Sequence, residues 1–155
     1  MTPDTILVIE DREDDVVFLK VALRRAELTL PLEIARSGED GLKILMNCVE
    51  EFKRSGQLVL PLCVLLDLKL PGLNGFEVLE RMRAIPELGK LLTIVLTGSE
   101  QESDVIMAYQ LGARSYIVKP PSAVDLKAMV NAVKSISSPE WLQPAILPGI
   151  KNPAR

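Results

Sequence analysis

The chain has 155 residues, a net charge of −3, a pI near 5.1, two cysteines and no histidine, which fits one domain able to bury roughly two thirds of its unfolded surface without a staple. An acidic balance argues against a nucleic-acid surface, and Cys48 and Cys63, with no Cys-x-x-Cys pair and no histidine beside them, leave a zinc site nearly without ligands. The longest apolar stretch, VLPLCVLL, is too short for a bilayer and is interrupted by Pro61, and the N-terminus has no signal-peptide pattern. The expectation is a cytoplasmic protein with no membrane or nucleic-acid partner.

In chain order, short runs rich in Val, Ile and Leu alternate five times with segments of helical period, the pattern of a parallel sheet covered by helices on both faces. The first run, Thr5 to Glu10 (TILVIE), leads to a helix for which Asp14 or Asp15 is the expected cap, with Val16, Leu19, Leu23 and Ala26 inward. The second strand is Leu32 to Ala35. Ser37 precedes a long helix carrying Leu42, Leu45, Val49 and Phe52 inward and ending at Ser55-Gly56. The third run, Leu62 to Asp67 (LCVLLD), passes through Pro71-Gly72 and Asn74-Gly75 into a helix with Phe76, Leu79 and Met82, ended by Pro86. Leu92 to Thr97 (LTIVLT) precedes a helix expected from about Ser99 to Leu111, with Gly112 as its cap. Ser115 to Lys119 (SYIVK) precedes one from Ser122 to Ile136 with Leu126, Met129, Val130 and Val133 on one face. The fold class is therefore α/β: a five-stranded, parallel, doubly wound sheet of order 2-1-3-4-5. The divisions are 1–136 for this domain and 137–155 for a tail whose prolines forbid regular helix but whose Trp141, Leu142, Ile146, Leu147 and Ile150 are apolar. Docking of that tail on a domain surface, of its own chain or of a second copy, would contribute to a homodimer.

Ligands of such sheets bind beyond the carboxyl ends of the strands. Those ends carry Glu10-Asp11, Asp67, Thr97 and Lys119. Three crowded carboxylates require a cation, and an all-oxygen donor set suits Mg²⁺. An isolated Asp after LCVLL is costly unless a cation or hydrogen bonds compensate it, so Asp67 is read as functional. Glu13, Asp14 and Asp15 need no reason beyond a solvated helix start. Phosphoryl transfer requires in-line positioning, a divalent cation and fixed donors rather than a proton shuttle, so the lack of histidine is no obstacle. Gly98 leaves a backbone N–H accessible beside Thr97, and Lys119 precedes Pro120, a step compatible with a cis bond.

On ILVIED, LLDLKLPGLNG, IVLTGS and SYIVKP the chain closely resembles the receiver domain of two-component response regulators, over about Asp4 to Ile136. The resemblance implies that Asp67 accepts a phosphoryl group from a phosphohistidine of a sensor histidine kinase. It also implies that Asp11, Asp67 and the backbone carbonyl of Lys69 bind Mg²⁺, with Glu10 acting through water. Thr97 and Lys119 would bind the phosphoryl group, and Tyr116 would be the aromatic that turns inward as Thr97 moves. The long second helix and the acidic DREDD run look more like the stand-alone receivers associated with bacterial phytochromes, which makes a bacteriophytochrome the expected kinase class. A lysine at position 69, two beyond the acceptor, departs from the common pattern. The product would be a signalling state and not a released metabolite, so the chain is not expected to be an enzyme in the ordinary sense.

Three rivals are weaker on the same residues. An Asp-nucleophile phosphatase of the haloacid-dehalogenase type resembles Asp-x-Asp after the first strand, whereas this chain reads Asp67-Leu68-Lys69 after the third. A pseudo-receiver, acting as an unphosphorylated protein-binding module, usually loses one of the acceptor, acidic pair, Thr or Lys. Flavin binding would require a hydroxyl-rich or glycine-rich loop where this chain has acids.

Overall fold

In the computed structural model, which describes residues 1–134, five parallel strands form one sheet of order β2-β1-β3-β4-β5. They are β1 (Ile6–Ile9), β2 (Leu32–Ala35), β3 (Cys63–Leu66), β4 (Thr93–Thr97) and β5 (Ser115–Val118), with α1 (Glu13–Arg25), α2 (Gly38–Ser55), α3 (Gly75–Arg83), α4 (Glu102–Gln110) and α5 (Ala123–Lys134) between and after them. The expected fold class and strand order are those observed. The expected tail, 137–155, and the last two residues of the expected fifth helix, 135 and 136, lie outside the described residues.

The runs lack polar alternation because both faces of the sheet are covered. Leu7, Ile9, Val64, Leu66, Val95 and Tyr116 join one apolar layer with α2, α3 and α4, while Ile6, Val8, Cys63, Leu65, Ile94, Leu96 and Ile117 join the other with α1 and α5. Exposure is confined to the edge strands, over Leu32–Ile34 in β2 and at Val118 in β5.

Local signals set most helix boundaries. Ser37 accepts the Asp40 amide at 3.0 Å, and Gly56, at φ 75°, ends α2 in the left-handed conformation. Asn74 and Glu77 form a reciprocal capping box at α3, and Ser122 and Asp125 exchange bonds in the same manner before α5. Three expectations are corrected. Neither Asp14 nor Asp15 caps α1; its N-cap is Arg12, with no side-chain cap, because those acids already lie within the helix. The fourth helix begins at Glu102 rather than near Ser99, whose hydroxyl is held in the loop by Asp104. Phe52 is half-buried and lines a groove with Pro3, Leu58 and Pro86 instead of entering the core. A short 3-10 turn at Pro86–Leu88, not foreseen, continues the chain after α3.

Cys48 and Cys63 are both buried free thiols, as expected. Burial pushes the Cys63 thiol up to about 12 from an ordinary 9.0. A raised folded-state value means that its contribution to stability is intact below pH 9.0 and is lost as the pH rises toward 12. Iodoacetamide at pH 8 should therefore leave Cys63 unmodified in the folded protein and alkylate it fully in denaturant. Peptide mapping reads the outcome, and rapid native labelling of Cys63 would show that β3 opens readily.

Candidate functional site

The parallel ladder extends one step past the strands and places the polar residues. Glu10 N–H donates to the Ala35 carbonyl at 3.0 Å, Asp67 N–H to the Ile9 carbonyl at 3.1 Å, and Lys119 N–H to the Thr97 carbonyl at 2.8 Å. The backbones of the acidic and basic residues are thus held by the sheet, while their side chains clear its end. Gly75 permits this arrangement: a Cβ there would lie 2.4 Å from the Asp67 carbonyl oxygen and 2.7 Å from the Leu68 Cα. The Lys119–Pro120 peptide is cis.

Glu10, Asp11 and Asp67 each offer an oxygen within 4.8 Å of the others. Glu10 and Asp67 are each 5% exposed, and Thr97 is fully buried. Lys119 Nζ reaches Glu10 Oε2 at 2.5 Å, Asp15 Oδ2 at 2.9 Å and Asp67 Oδ2 at 3.2 Å. Burial pushes the Glu10 carboxyl up, a shift that hydrogen bonds from Lys119 and the Arg12 amide oppose and the Asp67 charge reinforces. For Lys119, burial disfavours the ammonium, yet hydrogen bonds and charges from Glu10, Asp15 and Asp67 outweigh it and the net shift is upward. Among the described residues, two buried oxygens, Asp11 Oδ1 and Thr97 Oγ1, have no hydrogen-bond partner. Orphans of this kind are rare and point to groups that the site receives.

The donor chemistry fits a divalent cation. Three carboxylates in one oxygen-lined pocket, one of them with an unpaired buried oxygen, are what a hard cation of the Mg²⁺ type requires. The Lys119 ammonium, 3.2 Å from Asp67 Oδ2, stands where an anion on Asp67 would meet it. Gly98 is exposed, and a Cβ on it would touch nothing within 4 Å.

Of the residues singled out at strand ends, Glu10, Asp11 and Asp67 cluster and Lys119 contacts two of them, while Thr97 ends the neighbouring strand with its carbonyl accepting the Lys119 N–H. Lys69 N–H donates to Asp67 Oδ1 at 3.3 Å while its side chain is exposed. Tyr116 is already inward, 1% exposed, with its hydroxyl donating to the Ser99 carbonyl at 3.0 Å. The ring thus already occupies the inward position that the resemblance implies for it. Ser99 in turn donates to Asp104 Oδ2 at 2.6 Å, which fixes the loop that supplies the acceptor. One participant went unnoticed: Asp15, taken for part of a solvated helix start, contacts Lys119, whereas Glu13 pairs with Arg36 and Asp14 with Arg12 at the surface. The signal that could have found it is spacing, since Asp15 lies in the first turn of α1, directly above the end of β1.

The family model for the response regulator receiver domain matches residues 6–131. The chain belongs to this family. This receiver is 33% identical over 146 residues to the response regulator Rcp1 of Synechocystis sp., covering 94% of each chain. It is 34% identical over 132 residues to a probable methanogenesis regulatory protein, FilR2, of Methanothrix harundinacea, covering 85% of this chain and 82% of the other. Among solved structures, the bacteriophytochrome response regulator RtBRR superposes with a TM-score of 0.68 at 34% identity, over 96% of this receiver and 86% of that chain. A Mn²⁺-bound form of Rcp1 does so with a TM-score of 0.60 at 32% identity, over 94% and 99%. Among the described residues of this receiver, no helix is long and apolar enough to cross a membrane.

Proposed function

We propose that this receiver accepts a phosphoryl group on Asp67 from a phosphohistidine of a sensor histidine kinase. The observation that carries the reading is a buried Asp67 that Lys119 already contacts, clustered with Asp11, whose Oδ1 is an orphaned buried oxygen as is Thr97 Oγ1 at the end of β4. An Asp67 oxygen attacks phosphorus, the new O–P bond forms as the N–P bond of the donor breaks, and the imidazole departs. Glu10, Asp11, Asp67 and the Lys69 backbone carbonyl would hold Mg²⁺, which when bound supplies charge neutralisation for the transferring group. Thr97 and Lys119 then donate to phosphoryl oxygens. The chain catalyses only its own phosphorylation and dephosphorylation.

Similarity to Rcp1 and to the bacteriophytochrome response regulators supports a phytochrome-class kinase as the phosphoryl source. The Mn²⁺-bound form of Rcp1 supports a divalent cation at the corresponding pocket. A cytoplasmic location follows from that kinase assignment. The receiver spans residues 1–136 in this reading, and the output is a protein surface on the side of β5 and α4, where the Tyr116 hydroxyl meets the loop that follows Thr97.

Acetyl phosphate with Mg²⁺ should add one phosphoryl group, read by intact-protein mass spectrometry as a base-labile adduct that maps to Asp67 and fails to form in chelator. An adduct on any other residue, or one that forms equally without a divalent cation, would overturn the assignment.

A further inference from the structure

Of the three carboxylates holding the Lys119 ammonium, Asp15 alone stands outside the cluster that can share a cation. Glu10 and Asp67 belong to that cluster together with Asp11. An ammonium has three N–H donors and no acceptor, and here each donor has one carboxylate within reach.

We propose that Asp15 is a positioning residue: it anchors Lys119 over Asp67 while the other two carboxylates release it. The inference rests on Asp67 being the phosphoryl acceptor. During acceptance the Asp67 oxygen is committed to phosphorus and the Glu10 charge to the cation, so two of the three holds on Lys119 loosen when its charge is needed at the phosphoryl oxygens. A lysine sits on a flexible four-carbon stem with high rotamer entropy, and one remaining tether limits what must be lost on engaging the anion.

Asp15 is suited to the task by its own setting. It lies in the first turn of α1, on regular backbone, and its side chain is 26% exposed against 59% for Asp14 and 68% for Glu13. The neighbouring acids face away toward surface guanidinium groups, so the acidic run divides into two surface pairs and one inward contact. Arg12 Nε sits 3.5 Å from the same Asp15 oxygen, which limits its rotation. The carboxylate also lines a cleft of about 350 Å³ that opens onto Asp67 between Phe18, Pro120 and Pro121.

The test is a double-mutant cycle on the full chain, using acetyl phosphate and saturating Mg²⁺. Asp15→Ala should lower the maximal rate of Asp67 phosphorylation about five- to ten-fold, with the half-saturating acetyl phosphate and Mg²⁺ concentrations each changed less than about two-fold. Asp15→Asn, which keeps an acceptor oxygen, should recover part of the rate. In a Lys119→Ala background, Asp15→Ala should have almost no further effect, as an action through Lys119 requires. Beryllofluoride affinity, read from the shift in melting temperature, gives the same cycle without turnover if Lys119→Ala reacts too slowly. An unchanged rate in Asp15→Ala, or equal losses in both backgrounds, overturns the proposal while leaving the acceptor assignment intact. A parent protein that takes up no phosphoryl group at Asp67 overturns both.

Discussion

Asp67→Asn should yield a folded protein that takes up no phosphoryl group and gains little stability from Mg²⁺. The amide preserves the shape of the side chain and an acceptor for the Lys69 N–H, but it is neither a nucleophile toward phosphorus nor an anionic ligand. A cation that binds the folded parent at a hundred times its dissociation constant stabilises it by about 2.7 kcal/mol. Most of that increment should vanish in the variant. Without metal, the variant should melt no lower than the parent, because one of three crowded carboxylates is gone while Lys119 keeps Glu10 and Asp15. Paired melts with and without Mg²⁺, together with intact-mass readings after acetyl phosphate, check both statements. A marked fall in the metal-free melting temperature would show that the Asp67–Lys119 pair outweighs the repulsion, and a persistent adduct would place the acceptor elsewhere.

Gly75→Ala should be among the most damaging single changes near the site despite adding one methyl group. The new Cβ would meet the Asp67 carbonyl oxygen at 2.4 Å and the Leu68 Cα at 2.7 Å. Both are backbone, so no flexible side chain can yield, and α3 must shift away from the loop that follows β3. Overpacking of this kind costs about 1–3 kcal/mol, and here the displaced atoms belong to the acceptor itself. Denaturant unfolding should show a loss near the upper end of that range, with phosphorylation slowed well beyond what the fraction unfolded explains. Gly98→Ala is the control: open space surrounds its added Cβ, and the stability change should stay within about 0.5 kcal/mol. Comparable losses in the two variants would show that Gly75 matters for backbone freedom alone.

The strand ends were legible because two signals coincide there. Runs such as LCVLL and TIVL are apolar without alternation, which both-face burial in a parallel sheet demands, and the polar residue that ends each run falls where such sheets bind ligands. Ser37, Asn74 and Gly56 were legible as helix boundaries because each acts through its own backbone or a neighbour three or four residues away. Where the deciding contact is distant in sequence, local reading failed. Asp15 looked like an ordinary acid at a helix start because its partner lies 104 positions away. The start of α4 was misplaced because Ser99 is held by Asp104 and by Tyr116, the latter 17 positions on. The resting orientation of Tyr116 was likewise set by a carbonyl acceptor that no pattern in SYIVK announces. Phe52 followed the helical period correctly, yet the core had ended one turn earlier.

The span of chain enclosed by the Lys119 contacts has a consequence for biosynthesis. Lys119 is separated from Glu10 by 109 positions and from Asp67 by 52, and it follows the last strand of the sheet. At a translation rate of about 5–20 residues per second, Lys119 is joined to the chain roughly three to ten seconds after Asp67. The acidic residues thus exist on the ribosome well before the cation that balances them, and a partly made chain presents them without it. By the proposed mechanism, competence to accept a phosphoryl group arrives only with the completed sheet, because Lys119 follows its last strand.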